Sequence, residues 1–292
     1  MVQSDDPSFN YGQSELKYND FVEPAVRKAL IEIKEGLESD GTFRILDAGC
    51  GSGGHLKLFK QIFEDIEIVG VDISVPHLKE SKRTVESENL EDEVELIQAN
   101  IEEDLPVENS FDLIWIADVI YPMYFDDPVK LIDNLAEKLD SNGIMAVFCG
   151  NWLRQMFLPG YSDLENKINA AVEYWCQNDF HIQNDWRGLS HPENAFKWLN
   201  ESSLLHSIKT ESFLVQYNSE PELPVEAKKY VERTFRKEYD VAIEKYGEKA
   251  GITEEDRQLW QEIGKKDGKK YILDEKGYYC CMHPSLVFGQ YK

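Results

Sequence analysis

The chain has 292 residues, 42% of them hydrophobic, which is enough for one large domain or one domain with a cap. Asp and Glu number 55 against 31 Lys and Arg, and a net charge of −24 repels phosphate backbones and anionic lipid surfaces, which disfavours nucleic acid and membrane as substrates. The acid either solvates the surface or draws a cationic substrate.

No apolar run approaches a membrane span, because Asp112 and Asp118 interrupt the longest. Residues Met1 to Ser8 have neither a basic start nor an apolar stretch, so a cytoplasmic location is expected. The five cysteines, at 50, 149, 176, 280 and 281, show no C-x-x-C pair and no histidine at metal spacing, so reduced thiols and no metal are expected. Cys280 and Cys281 with Cys176 form either a soft-metal site or buried small hydrophobes; on a strand the adjacent pair points to opposite faces.

In chain order, Phe21 to Glu38 carries Val22, Val26, Leu30, Ile33 and Leu37 on one face and reads as a helix with Pro24 in its first turn. The apolar strand Ile45-Leu46-Asp47-Ala48 then enters the turn Gly49-Cys50-Gly51-Ser52-Gly53-Gly54, and a helix follows from His55 to Phe63. Glycines at 49, 51 and 53 allow a sharp bend and close approach of a ligand. The spacing of Gly49, Gly51 and Gly54 also satisfies G-x-G-x-x-G, where amides and a helix dipole hold a pyrophosphate. Charge separates the two readings: the carboxylate of Asp47 repels a pyrophosphate and suits a ligand bearing an ammonium and a sulfonium, such as S-adenosylmethionine.

The second strand, Ile66 to Ser74, places Asp72 at its end, where a carboxylate accepts hydrogen bonds from both ribose hydroxyls of an adenosyl ligand, with Ile73 against the adenine face. Ser74 and Pro76 open the next helix as cap and first-turn residues. The third strand, Glu93 to Ile101, brings Asn100 to its end, with an amide oxygen for the adenine amino group. The fourth, Phe111 to Ile120, carries Ala117 and Asp118 at its carboxyl end, on the face where open α/β sheets bind ligands. Asp127-Pro128 opens a helix with Val129, Ile132, Leu135 and Leu139, ended by Ser141-Asn142-Gly143 before a fifth strand, Ile144 to Cys149.

These motifs, in this order, resemble the class I S-adenosylmethionine-dependent methyltransferases. The likeness rests on Leu46 to Gly53 as the glycine motif, Val71-Asp72-Ile73-Ser74 as the ribose motif, Ala99-Asn100-Ile101 before Leu105-Pro106 as the adenine motif, and Phe111-Asp112-Leu113-Ile114 as the fourth strand. It is strongest over residues 25–150, and Asn100 departs from the Asp common in the family. The resemblance implies an α/β, Rossmann-like, seven-stranded doubly wound sheet with helical cap insertions. It also implies an S-adenosyl-L-methionine cofactor held by Asp47, Gly49, Gly51, Gly53, Asp72, Ile73, Asn100, Ile101, Ala117 and Asp118, and, beyond residue 150, a small-molecule substrate.

Small-molecule methyltransferases commonly fold an N-terminal segment over the cofactor, which makes residues 1–20 a candidate lid. Tyr11 or Tyr18 then contacts sulfonium or acceptor through the attraction of aromatic faces for cations; the alternative is a surface tail packed on the first helix. The expected division continues with a cofactor-binding core at 21–150, a cap or substrate region at 151–206, and last strands at 207–292 interrupted by a helical insertion at 219–270. Ser162 to Glu165 reads as a capping box, Phe180, Trp186, Phe196 and Trp198 as an aromatic connection, Ser207 to Tyr217 as a sixth strand and Tyr278 to Phe288 as the last, broken near Pro284. Helices Val225 to Lys249 and Thr253 to Gly264 supply either a cap or an interface, a homodimer included.

Methyl transfer is a direct displacement that needs alignment before it needs a base. Asp118, Tyr121 and Tyr124, just after the fourth strand, are placed to face the methyl group; Tyr121 is the catalytic candidate, while Asp118 either holds the ammonium or acts as base. Tyr11, Tyr18, Tyr124, Trp152 and His191 are the substrate candidates, and His191 and His283, each followed by proline, are the histidines nearest the expected mouth. A nicotinamide-dependent oxidoreductase and a cofactor-binding, non-catalytic partner protein are the competing functions.

Overall fold

The computed structural model describes residues 12–37, 41–108, 110–120, 125, 127–150, 155–179 and 191–292, with side chains from 18 and again from 194 onward in the helices that begin at 12 and 191. Two compact units form: Met1–Gly150 with Ser190–Phe213 and Pro284–Lys292, and Asn151–Leu189 with Leu214–His283. The expected segments 151–206 and 207–292 are therefore each divided between the units.

In the first unit, α1 (Gly12–Glu35) leads to β1 (Phe43–Ala48), α2 (Leu56–Ile62), β2 (Ile66–Asp72), α3 (Val75–Glu88), β3 (Val94–Gln98), β4 (Phe111–Ala117), α4 (Pro128–Ala136) and β5 (Leu139–Cys149). After an excursion into the second unit the chain returns as α6 (His191–Glu201) and β7 (Leu205–Ser212), and finally as β10 (Ser285–Tyr291). The sheet order is β3-β2-β1-β4-β5-β10-β7. The first five strands are parallel, and β10 lies antiparallel between β5 and β7. This is the seven-stranded Rossmann-like sheet anticipated from the motif order.

Parallel strands covered on both faces need apolar side chains on both, and β1 and β4 are buried almost throughout. Ile114 and Ile116 face a layer that includes Leu131, Ile132, Leu135, Ala195, Trp198 and Leu199 from α4 and α6. Trp115, pointing the other way, stacks on Phe148 at 5.7 Å and meets the edge of Phe59 at 6.2 Å. The expected caps form: Ser74 Oγ accepts from His77 N at 3.4 Å and Asp127 Oδ1 from Lys130 N at 3.0 Å, each with proline in the first turn.

Several local expectations are corrected. α1 begins at Gly12, so Pro24 lies inside it; the helix continues because Phe21, Val22, Ala25, Val26, Ala29, Leu30 and Ile33 are all buried on one side. Burial of that face outweighs the roughly 3 kcal/mol an interior proline costs. Of the aromatic connection, Trp198 belongs to the first unit's core, and Phe196 is exposed.

The second unit contains β6 (Gln155–Met156), α5 (Ser162–Asp179), β8 (Val215–Asn218), α7 (Val225–Thr234), α8 (Asp240–Tyr246), α9 (Glu254–Ile263) and β9 (Tyr279–Met282). β6, β9 and β8 form a small antiparallel sheet. A π-helical turn, Phe235–Tyr239, joins α7 to α8 and turns Phe235 and Tyr239 onto Trp260 of α9, with ring centroids 5.1 and 5.8 Å away. The capping box occurs at Thr253 and Asp256, where each side chain accepts from the other's backbone N–H.

At Ser162 the expected box does not close, because Ser162 is already in the first helical turn and Glu165 turns back to residues ahead of the helix. Glu165 Oε1 accepts from Phe157 N at 2.5 Å and Leu158 N at 3.1 Å in a buried setting. Two buried N–H groups left unpaired cost about 1–3 kcal/mol each. Glu165→Ala is thus expected to lower the urea midpoint of this unit by the equivalent of about 2–6 kcal/mol, with Glu165→Gln, which keeps an acceptor oxygen, losing less.

Both strands expected to be continuous are broken where they pass between units. The sixth splits into β7 and β8 at Phe213-Leu214, and the last splits into β9 and β10 at His283-Pro284, with Phe213 N donating to Pro284 O at 2.9 Å. Cys176, Cys280 and Cys281 are buried thiols, and burial pushes Cys176 and Cys280 up to about 12.

Candidate active site

β1 and β4 are neighbours although β2 and β3 lie between them in sequence, so the chain reverses its direction of travel across the sheet there. Open α/β sheets bind ligands at such a point, beyond the strands' carboxyl ends. Gly49, Gly51 and Gly53 have φ of +82°, +52° and +77°, the left-handed region that side chains resist. A Cβ on Gly49 would stand 2.5 Å from Val119 Cγ2, and one on Gly54 would stand 1.9 Å from Asn19 Nδ2. The loop is thereby pressed between β4's exit and α1.

α3 holds the same loop from its other side. Ser81 Oγ donates to Gly51 O at 2.6 Å and Thr84 Oγ1 to Ser52 O at 3.1 Å. Neither residue was singled out from sequence; their spacing of three on one helix face was the available signal. Asp72 completes the clamp: Oδ2 accepts from Gly51 N at 2.9 Å and Oδ1 from Ser74 N at 2.7 Å, with His77 Nδ1 3.7 Å from Oδ1.

Asp47 is buried at the end of β1, level with Gly70 of β2 and Trp115 of β4. Burial first, and the Asp72 carboxylate second, raise its carboxyl to about 8. Cys50 is pushed well above its usual value by burial, then by Asp47 and Asp72. His55, at the start of α2, accepts from Trp115 Nε1 at 3.1 Å, and burial lowers it to about 4, so its imidazole is neutral.

Asp118, one residue beyond β4, has φ of +53°. Its Oδ1 accepts from Gly150 N at 2.8 Å and its Oδ2 from Tyr18 OH at 2.6 Å. A left-handed aspartate costs on the order of 1–3 kcal/mol, and these two bonds hold it there. Tyr18 and Asn19 of α1 thus lie across the strand ends, Tyr18 on Asp118 and Asn19 on Gly54.

The remaining candidates divide. Ile73 and Ala117 are half-buried at their strand ends. Asn100 follows β3, which ends earlier than expected, and its Oδ1 accepts from Glu102 N at 3.1 Å in a local turn. Ile101 is buried in the core layer beneath the sheet's carboxyl edge. His191 opens α6 in the first unit, with its side chain outside the described residues, while Tyr11, Tyr121, Tyr124 and Trp152 lie wholly outside them.

A glycine cradle with no room for side chains, backed by Asp47, Asp72 and Asp118 and by no lysine or arginine among the residues named above, fits a cationic adenosyl compound and opposes a diphosphate. Fold and site define a class I, S-adenosylmethionine-dependent methyltransferase. The chain belongs to the methyltransferase domain family, which matches residues 39–216.

It is similar to an uncharacterized protein of Synechococcus sp., 29% identical over 108 residues covering 37% of this chain and 25% of that one. It is also similar to the mitochondrial ubiquinone biosynthesis O-methyltransferase of Candida albicans, 21% identical over 169 residues covering 53% and 51%. The match thus spans a quarter to half of these relatives. Among solved structures, Haemonchus contortus phosphoethanolamine N-methyltransferase 2 in complex with S-adenosyl-L-methionine aligns over 91% of this chain and 52% of that one, at 20% identity and a TM-score of 0.47. Among the described residues no helix is long and apolar enough to cross a membrane.

Proposed function

We propose that this enzyme transfers a methyl group from S-adenosylmethionine to a small, uncharged or cationic acceptor by direct displacement. The observation that carries the reading is the pairing of a left-handed glycine turn with the aspartates Asp47 and Asp72 at the sheet's switch point. When bound, the cofactor supplies an electrophilic methyl group on a sulfonium.

In this reading the Gly49–Gly53 backbone, Asp47, Asp72, Ile73, Asn100, Ile101, Ala117 and Asp118 bind the cofactor. Each Asp72 oxygen, accepting from Gly51 N or Ser74 N, has acceptor capacity left for a ribose hydroxyl. Tyr18, anchored on Asp118, presents a phenolic face beside the crevice, which supports the lid assigned to residues 1–20. Tyr121 is the residue assigned to the methyl group, with Tyr11, Tyr124, Trp152 and His191 as acceptor contacts. The helical insertion 219–270 is assigned as a cap, with an interface as its alternative. The net charge of −24 supports a neutral or cationic acceptor over an anionic one.

A thermal-shift pair tests the cofactor. S-adenosylhomocysteine at a hundredfold excess over its dissociation constant is expected to stabilise the protein by about 2.7 kcal/mol, a rise of a few degrees, with NAD at the same concentration leaving the midpoint unmoved. A shift with NAD alone would overturn the reading in favour of an oxidoreductase.

A further inference from the structure

Asp72, Gly51, Ser81 and the start of α3 close a ring of hydrogen bonds at the end of β2. The carboxylate reaches in two directions: Oδ2 accepts from Gly51 N at 2.9 Å, and Oδ1 accepts from Ser74 N at 2.7 Å, at the cap of α3. From the same helix, Ser81 Oγ donates to Gly51 O at 2.6 Å. Ser74 and Ser81 are separated by close to two helical turns, so both contacts leave one side of α3. Gly51 is thus gripped at its N–H by the acid and at its C=O by the hydroxyl.

This grip restrains a freedom that the glycines create. Gly49, Gly51 and Gly53 all have positive φ, and glycine populates both signs of φ about equally, so steric repulsion alone does not hold Gly51 at +52°. Its neighbours have other anchors: Gly49 N and Cys50 N donate to Val71 O at 2.8 and 2.9 Å, and Gly53 N donates to Cys50 O at 2.9 Å. Gly51 is held by Asp72 and Ser81, with the Cys50 thiol a more distant 4.0 Å from its oxygen. Ser81 is fully buried, and a Cβ on Gly53 would stand 3.2 Å from both its Cα and its Oγ, so its hydroxyl is packed against the turn. Thr84 supplies a contrast. Its hydroxyl donates to Ser52 O at 3.1 Å and to Glu80 O, within its own helix, at 3.3 Å, and neither bond belongs to the ring.

We propose that Ser81 is a positioning residue for cofactor recognition: by fixing the Gly51 peptide it holds the Asp72 carboxylate in the orientation that receives the ribose hydroxyls of S-adenosylmethionine. The inference rests on the assignment of that cofactor to this site and of Asp72 to its ribose. Ser81 acts through Gly51, behind the turn. Without the hydroxyl, Gly51 O loses its donor, Gly51 regains its range of φ, and Asp72 Oδ2 loses a fixed partner. The resulting loss falls on the ribose hydroxyls before it falls on the adenine or the amino-acid end.

Calorimetric titration with S-adenosylhomocysteine and with its 2′-deoxy analogue tests this. The wild-type protein is expected to prefer the parent compound by about 10- to 150-fold, the worth of one charge-assisted hydrogen bond. Ser81→Ala is expected to weaken the parent by about 2- to 12-fold and the analogue by less, so that the preference itself shrinks. Thr84→Val should leave the preference where it is. A Ser81→Ala protein that binds both compounds more weakly by one common factor would show a purely structural role and overturn the inference, as would unchanged affinity for both. Where that variant does not fold, Ser81→Cys keeps the volume and offers only a weak donor, and an undiminished preference there overturns the inference equally. A wild-type protein without any preference would instead remove Asp72 from the ribose, and failure of both compounds to bind would remove the methyltransferase assignment.

Discussion

Replacing Asp72 with alanine is expected to weaken S-adenosylhomocysteine binding by about 150- to 25,000-fold, since two charge-assisted hydrogen bonds to ribose hydroxyls are worth roughly 1.5–3 kcal/mol each. The side chain has a second duty that the free protein already displays. Its two oxygens accept from Gly51 N and Ser74 N, tying the glycine turn to the first residue of the α3 cap. Without it, Gly51 at φ +52° loses a restraint, and the cradle must be reordered by the ligand at the ligand's expense. Asp72→Asn separates the two duties: its amide keeps one acceptor oxygen for the turn but brings donors where the hydroxyls point. It should therefore retain most of the thermal stability lost in Asp72→Ala while remaining well over tenfold weaker in binding. Calorimetric titration of the three proteins decides the matter, and an Asp72→Ala protein with wild-type affinity would remove Asp72 from the cofactor site.

The half of the fold that could be read from sequence is the half built by local rules. β1 to β5 follow one another with apolar runs, and their connections carry glycine, Ser74-Pro76 and Asp127-Pro128 signals that act within a few residues. Asp47, the glycine turn and Asp72 were legible for the same reason, each being a residue at the end of a strand. What escaped depends on distant partners. Phe213-Leu214 carries no breaker; the chain leaves the large sheet there because β8 finds β9, a pairing 61–67 residues away that periodicity does not report. Pro284 signalled a break but not that one side of it belongs to a different sheet.

Within the site, the bonds from Ser81 and Thr84 to the glycine loop and from Tyr18 to Asp118 span 30 residues or more. Asn100, read as an adenine contact, also takes part in a local turn, its amide oxygen accepting from Glu102 N two residues ahead, a habit of asparagine at a strand exit.

The Asp47→Asn protein is expected to be more stable than wild type near pH 8 when no cofactor is present, and the advantage should vanish near pH 4. The folded carboxyl titrates at about 8, against an ordinary value of 3.8. Between those limits the native state holds a proton that the unfolded chain has released, so stability falls as pH rises. The contribution is full below the unfolded value and is lost progressively up to the folded one, at about 1.4 kcal/mol per pH unit. His55 works in the opposite direction lower on the scale: burial holds it neutral with a value of about 4, so its contribution grows with pH between about 4 and 6.5. The raw wild-type profile mixes the two, and subtracting the Asp47→Asn profile, measured by urea unfolding at the same series of pH values, isolates the aspartate. Parallel profiles for the two proteins would show that Asp47 is ionised in the free enzyme. A difference that widens steadily from acid to neutral pH would show that burial holds the Asp47 carboxyl protonated in the folded chain where the unfolded chain has released its proton.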